Sequence, residues 1–221
     1  VGALDGYVGG VAGNNGGTIT NSYSTATLKV SGTFIDSRDG GQTYKWVRIG
    51  SQVWMAENLN YNASGSRCYG DNTGGDSQGN CNTYGRLYNW NTAMNNAASS
   101  NATPSGVQGV CPNGWHLPSD AEWTTLTNFV GTSPGAKLKA TSGWNSNGNG
   151  TDDHGFSALP GGIGHSIGSF VDVGNGGLWW SATQDDEASD AWLRDMIYFG
   201  SDVFSYYFDK SSLFSVRCVR D

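Results

Sequence analysis

Three features of the sequence predict an α+β fold. Ser119 and Glu122 have the spacing of a helix-capping box ahead of an apolar helical face, and the second half of the chain carries short aromatic strand-like segments separated by Gly, Asn and Asp. Four cysteines offer covalent ties across what is otherwise a loop-rich chain. At 221 residues, with 12% aromatic and only 14% charged side chains, the chain is long enough for one sizeable core and has the wrong composition for disorder.

From the N-terminus, residues 1–32 are short apolar β-formers broken by Gly/Asn corners, the texture of one coil of a parallel β-solenoid. A single coil cannot bury its own face, so it is expected to stack on the repeat region of a longer parent chain. This stretch resembles the GLUG motif of large bacterial surface proteins through Gly9, Gly10, Gly13, Asn15, Gly16, Thr18, Ile19 and the run Asn21, Ser22, Tyr23, Ser24. Residues 33–221 form the second expected domain. In it, segments 44–49 and 52–55 flank Gly50-Ser51 and predict a hairpin with a two-residue turn.

Leu87, Trp90, Met94 and Ala97 recur at helical spacing and predict a first helix over 86–98, ended by the Asn/Ser/Gly-rich stretch 95–109. A second helix begins at Ser119, presents Trp123, Leu126 and Phe129/Val130 on its apolar face, and stops at Gly131. Residues 142–155 are too rich in Gly and Asn for anything but loop. Strands are predicted over 178–182, 191–199, 203–208 and 214–219. Two helices followed by short antiparallel strands describe a small loop-rich module suited to presenting a surface.

Cys68, Cys81, Cys111 and Cys218 show no C-x-x-C spacing, which favours two disulfides in an oxidising compartment over zinc or thioredoxin-like chemistry. Four cysteines allow three connectivities. The Gly/Asp/Asn-rich segment between Cys68 and Cys81 reads as a loop closed at its ends, which favours Cys68–Cys81 and Cys111–Cys218.

The net charge of −7 and the lack of any Lys/Arg run argue against nucleic acid as a partner. No apolar run approaches the ~20 residues of a membrane span, so no membrane insertion is expected in this segment. The chain opens at Val1 with neither Met nor a leader, and is expected to be part of a longer precursor.

The order of motifs is similar to that of the Fibrobacter succinogenes major paralogous domain. The resemblance runs from Asp36-Ser-Arg-Asp-Gly through Gln52-Val-Trp-Met-Ala-Glu-Asn-Leu-Asn-Tyr61 and Tyr84-Gly-Arg-Leu-Tyr88 to Cys111-Pro-Asn-Gly-Trp-His-Leu-Pro-Ser-Asp-Ala-Glu-Trp123. It continues with Gly150-Thr-Asp-Asp-His-Gly-Phe-Ser-Ala-Leu-Pro-Gly-Gly162, Trp179-Trp-Ser-Ala-Thr183 and Phe214-Ser-Val-Arg-Cys-Val-Arg220. Gly114 to Trp123 and the Val216-Arg-Cys-Val ending are more distantly similar to the formylglycine-generating enzyme group. The resemblance implies a C-type-lectin-like fold with Trp115, Trp123 and Trp180 in its core, and export to a bacterial cell surface. It carries no match for that group's catalytic cysteines, and His116, His154 and His165 lack zinc-ligand or nucleophile-elbow spacing, so no enzymatic activity is expected.

Ligand contact is expected between Trp179 and Lys210. Alternation there places Val203, Ser205 and Tyr207 on one face of a strand and Phe204, Tyr206 and Phe208 on the other, one face being core. The candidate ligand-binding residues are Trp192, Arg194, Asp195, Tyr198, Asp202, Ser205, Tyr206, Tyr207 and Asp209, where aromatic rings stand beside carboxylates and hydroxyls. Calcium is the one candidate cofactor, with Asn147, Asn149, Asp152 and Asp153 as hard oxygen ligands on a loop. Phe156 occupies the place of the terminal Glu of an EF-hand loop, and the Glu-Pro-Asn string of calcium-bridged lectins does not occur.

The expected function is an adhesin-type module recognising an extracellular polysaccharide or protein. The alternatives are a structural tip or assembly domain of a surface structure, and a variable receptor diversified by a retroelement.

Overall fold

The computed structural model describes residues 30–220; the solenoid-like coil expected within 1–32 lies almost wholly outside them. Strands β1 (Ser31–Asp36), β2 (Gln42–Ile49) and β3 (Gln52–Met55) form an antiparallel meander. Ile49 pairs with Gln52 across the predicted two-residue turn, and Gly50 takes φ +61°, the positive value that a type II′ turn needs at its first central position.

Next come helix α1 (Asn80–Tyr84), strand β4 (Leu87–Tyr88) and helix α2 (Trp90–Met94). The helix predicted over 86–98 is therefore reduced to five residues. Asn89 caps it by accepting from Thr92 N at 2.8 Å, and Asn95 and Asn96 leave it with φ of 50° and 59°. Leu87 and Tyr88 are drawn instead into a ladder with Ser215 and Phe214.

Helix α3 (Asp120–Val130) carries the predicted capping box: Glu122 N donates to Ser119 Oγ at 3.1 Å, and Ser119 N donates to Glu122 Oε2 at 2.9 Å. Val130 faces the core whereas Phe129 is exposed. Helix α4 (Pro134–Leu138) follows. At five residues, α1 and α4 are too short to leave a periodic signal.

The remaining strands are β5 (Ile163–Gly164), β6 (Phe170–Val171), β7 (Gly176–Gln184), β8 (Asp190–Ile197), β9 (Phe204–Asp209), β10 (Phe214–Ser215) and β11 (Val219–Arg220). They complete a four-stranded sheet ordered β1-β2-β3-β11, a five-stranded sheet ordered β4-β10-β7-β8-β9, and the β5-β6 pair. The last predicted strand thus divides between two sheets. Val216 and Cys218 still accept from Leu59 N and Met55 N as the chain crosses from one sheet to the other.

Strand β7 is buried along nearly its whole length, and consecutive residues face opposite ways. Trp180 joins a core with Leu193, Tyr88, Trp115 and Phe214, while Trp179 joins a second core with Trp54, Trp123 and Phe156. All three tryptophans expected in the core are there. Disulfides Cys68–Cys81 and Cys111–Cys218 are present, the second fastening residue 111 next to β11.

Between the sheets, Asn58 Oδ1 accepts from Trp179 Nε1 at 2.8 Å and from Arg217 Nε and Nη2 at 3.1 and 2.6 Å. Arg217 is completely buried and also donates to Phe156 O; burial lowers its pKa to about 9 against the opposing charges of Asp152 and Glu57. The position and orientation of β7 therefore depend on a carboxamide some 120 residues earlier in the chain.

Candidate functional site

The aromatic segment predicted over 203–208 is β9, the edge of the five-stranded sheet, and among the described residues no strand pairs with its outer side. This corrects the expectation that one of its faces is core. Tyr206, Tyr207 and Phe208 are 54%, 52% and 42% exposed, so both faces of the strand offer aromatic surface. An interior strand would have buried one of them against the layer beneath.

These rings are held in place. Tyr206 stacks on Phe204 with centroids 6.1 Å apart, Tyr207 meets Trp192 edge-on at 5.5 Å, and Phe208 meets the core residue Phe214 at 5.6 Å. Register pairs Trp192 with Tyr207 and Leu193 with Tyr206, so β8 supports both faces of the edge.

Arg194 belongs to the scaffold. It is buried at 4% exposure, ion-pairs with Asp120, and donates through Nη2 to Asp120 O at 3.0 Å and Thr124 Oγ1 at 2.9 Å. Its Nη1 also donates to Ser205 Oγ, so Arg194 and Ser205 tie β8 and β9 to the first turns of α3. Asp209 accepts from Ser211 N at 2.7 Å and closes the turn after β9; the Ser211 side chain and backbone together hold its pKa low. Asp202 is exposed in the β8–β9 connection, whereas Tyr198 is half-buried against Phe199.

Asp195 behaves differently. Its Oδ1 is buried with no hydrogen-bond partner, and burial, together with nearby Asp172, pushes its pKa up to about 6. It lines a small cavity of about 200 Å³ with Asp172, Tyr198 and Phe199.

Of the four candidate calcium ligands, Asn149 Oδ1 accepts from Trp144 N at 3.0 Å. Asp152 accepts from Ser157 N at 2.8 Å and Ser157 Oγ at 2.7 Å. These oxygens serve the loop's own turns. Asn147 and Asp153 are exposed.

Two further features went unread in the sequence. A cleft of about 490 Å³ is lined by Tyr61, Asn91, Asn95, Asn96 and Gln108, with Arg38 stacked 3.9 Å over the Tyr61 ring. Its signal was Asn95, Asn96 and Gln108, read only as part of the stretch 95–109 that ends a helix, with Asn91 placed inside that helix. The other is a His–carboxylate pair, His116 Nε2 lying 2.6 Å from Glu122 Oε1. Glu122 is fully buried and its other oxygen accepts from Ser105 N and Ser119 N, which makes the pair part of the α3 cap. Neither residue lines the cavities described here.

Two family profiles match the chain: the Fibrobacter succinogenes major domain over residues 47–220 and the GLUG motif over residues 5–31. No curated protein and no solved structure matches it. Among the described residues, no helix is long and apolar enough to cross a membrane.

Proposed function

The chain belongs to the Fibrobacter succinogenes major domain family, and from that premise we propose that it is a non-enzymatic ligand-binding module of an exported bacterial surface protein. In this reading it has a C-type-lectin-like fold and recognises an extracellular polysaccharide or protein. The observation that carries it is the aromatic edge: three consecutive half-exposed rings on β9, each braced from behind. Rigid aromatic surface gives large contact area at small entropic cost and stacks well on sugar rings or peptide side chains. The GLUG match next to the domain supports a place at the end of a surface repeat region. The two disulfides support an oxidising compartment.

An assembly domain is the second reading, and one observation favours it. The outer side of β9 presents backbone groups that a neighbouring subunit could extend as a sixth strand.

Screening the purified, disulfide-intact chain against plant, host and bacterial glycans, with and without EDTA, tests the first reading. A glycan signal lost in a Tyr206→Ala, Tyr207→Ala variant that keeps its thermal midpoint supports it, and EDTA sensitivity assigns calcium a part. A blank array, together with self-association or capture of parent-protein subunits that the same variant abolishes, supports assembly instead.

A further inference from the structure

Asp195 is paired in register with Leu178 on one side and Phe204 on the other, so its carboxylate stands between two apolar neighbours on one sheet face. A carboxylate oxygen shut off from water is normally matched by a cation or a donor. Here Oδ1 has neither, and none of the contacts Asp36–Arg38, Lys45–Glu57, His116–Glu122 and Asp120–Arg194 includes Asp195.

The cavity against Asp195 has a distinct lining. Its volume of about 200 Å³ equals roughly six or seven waters. Ile163 and Leu178 supply aliphatic wall, and Tyr198 and Phe199, edge to face at 5.0 Å, supply aromatic wall. A second carboxylate, Asp172, stands exposed at the rim. Aliphatic surface suits methylene groups, aromatic faces attract a cation, and the two carboxylates give the pocket a net negative charge.

We propose that this pocket binds a primary aliphatic ammonium, with the C–H surface that carries it against Ile163, Leu178 and the aromatic pair, its charge on Asp195, and Asp172 drawing it in from the rim. The proposal rests on the reading of the chain as a ligand-binding module and names a chemical class for one of its ligands. Such a group occurs on a lysine side chain of a protein and on an amino sugar of a polysaccharide.

The test is an NMR titration of the disulfide-intact chain at pH 7.5, following the Ile163 and Leu178 methyls and the Asn175 amide. The probes are Nα-acetyl-lysine amide and glucosamine, each run against its neutral N-acetylated counterpart. Saturable shifts with at least one amine are expected, with none from the neutral probes. Asp195→Asn should weaken binding about tenfold or more, and Asp172→Asn, at the solvent-exposed rim, only a few-fold.

Response to the lysine probe alone assigns a protein source, and to glucosamine alone a saccharide. Equal binding of neutral probes, no saturable shift, or undiminished binding by Asp195→Asn overturns the proposal. The Tyr206→Ala, Tyr207→Ala variant, whose altered residues lie outside the pocket, separates the two readings. Intact amine shifts beside a blank array sink glycan binding at the aromatic edge alone, and a glycan signal without amine shifts sinks the pocket alone.

Discussion

Replacing Asp195 by Asn tests whether this part-buried carboxylate is a cost to the fold. Its pKa rises from the ordinary 3.8 to about 6 on folding, so the folded chain holds this proton more tightly than the unfolded chain does. Below about pH 4 both states are protonated and nothing is lost. Between pH 4 and 6 the unfolded chain releases its proton first, and stability falls as pH rises; above about 6 the penalty is complete. A rise of about two units at ~1.4 kcal/mol each sets an upper figure of ~3 kcal/mol, and partial solvent access brings it nearer ~2. The Asn side chain keeps the shape and discards the charge. The variant should therefore match the parent near pH 4 and exceed it by ~2 kcal/mol at pH 7 to 8. With a urea slope of ~2 kcal/mol/M, that is a midpoint shift of about 1 M. Urea melts of both proteins under non-reducing conditions at five pH values measure it. A stability difference that stays constant across pH, or an Asn variant less stable at pH 7, refutes the assignment of Asp195 as an uncompensated charge.

Three further variants probe the scaffold that presents the site. Asn58→Ala leaves the Trp179 indole and two donor positions of the buried Arg217 guanidinium without their acceptor; at ~1–3 kcal/mol for each unsatisfied group, a loss of about 4 kcal/mol is expected, read as a urea midpoint lowered by roughly 2 M. The Cys111→Ala, Cys218→Ala variant opens a tie between residues 107 apart and should lose up to ~5 kcal/mol by chain entropy, measured as a fall in thermal midpoint. The corresponding change at Cys68 and Cys81, only 13 residues apart, should cost less, ~3 kcal/mol.

Elements whose signals are local were readable in advance. The α3 cap is written in Ser119 and Glu122, the hairpin in Gly50-Ser51 between two apolar runs, and the Cys68–Cys81 loop in its Gly/Asp/Asn content. The first predicted helix shows why periodicity alone misleads. Leu87, Trp90 and Met94 are buried because Leu87 lies in a strand while Trp90 and Met94 lie on one turn of helix after it, and the shared spacing hides the change at Asn89. The segment 214–219 failed for a related reason, since all its residues are buried although the chain changes sheets within it.

The candidate site was legible in composition and illegible in role. A sequence shows that Arg194, Asp195, Tyr206 and Tyr207 lie close together in the chain, but roles follow from what each meets across the sheet. Arg194 meets Asp120 and Thr124, which come from a helix 70 residues earlier, and is consumed by the scaffold. Asp195, one residue on and facing the other way, meets Leu178 and Phe204 and is left with no counter-charge. The tyrosines are exposed because β9 is the last strand of its sheet, and strand order is a global property that alternation does not encode. A sheet edge and an unmatched charge both leave bonding capacity unfilled. Here they stand on neighbouring strands, and Phe204, stacked under Tyr206 and paired with Asp195, links the two. A ligand that covers the aromatic edge and projects an ammonium group toward Asp195 would satisfy both at once.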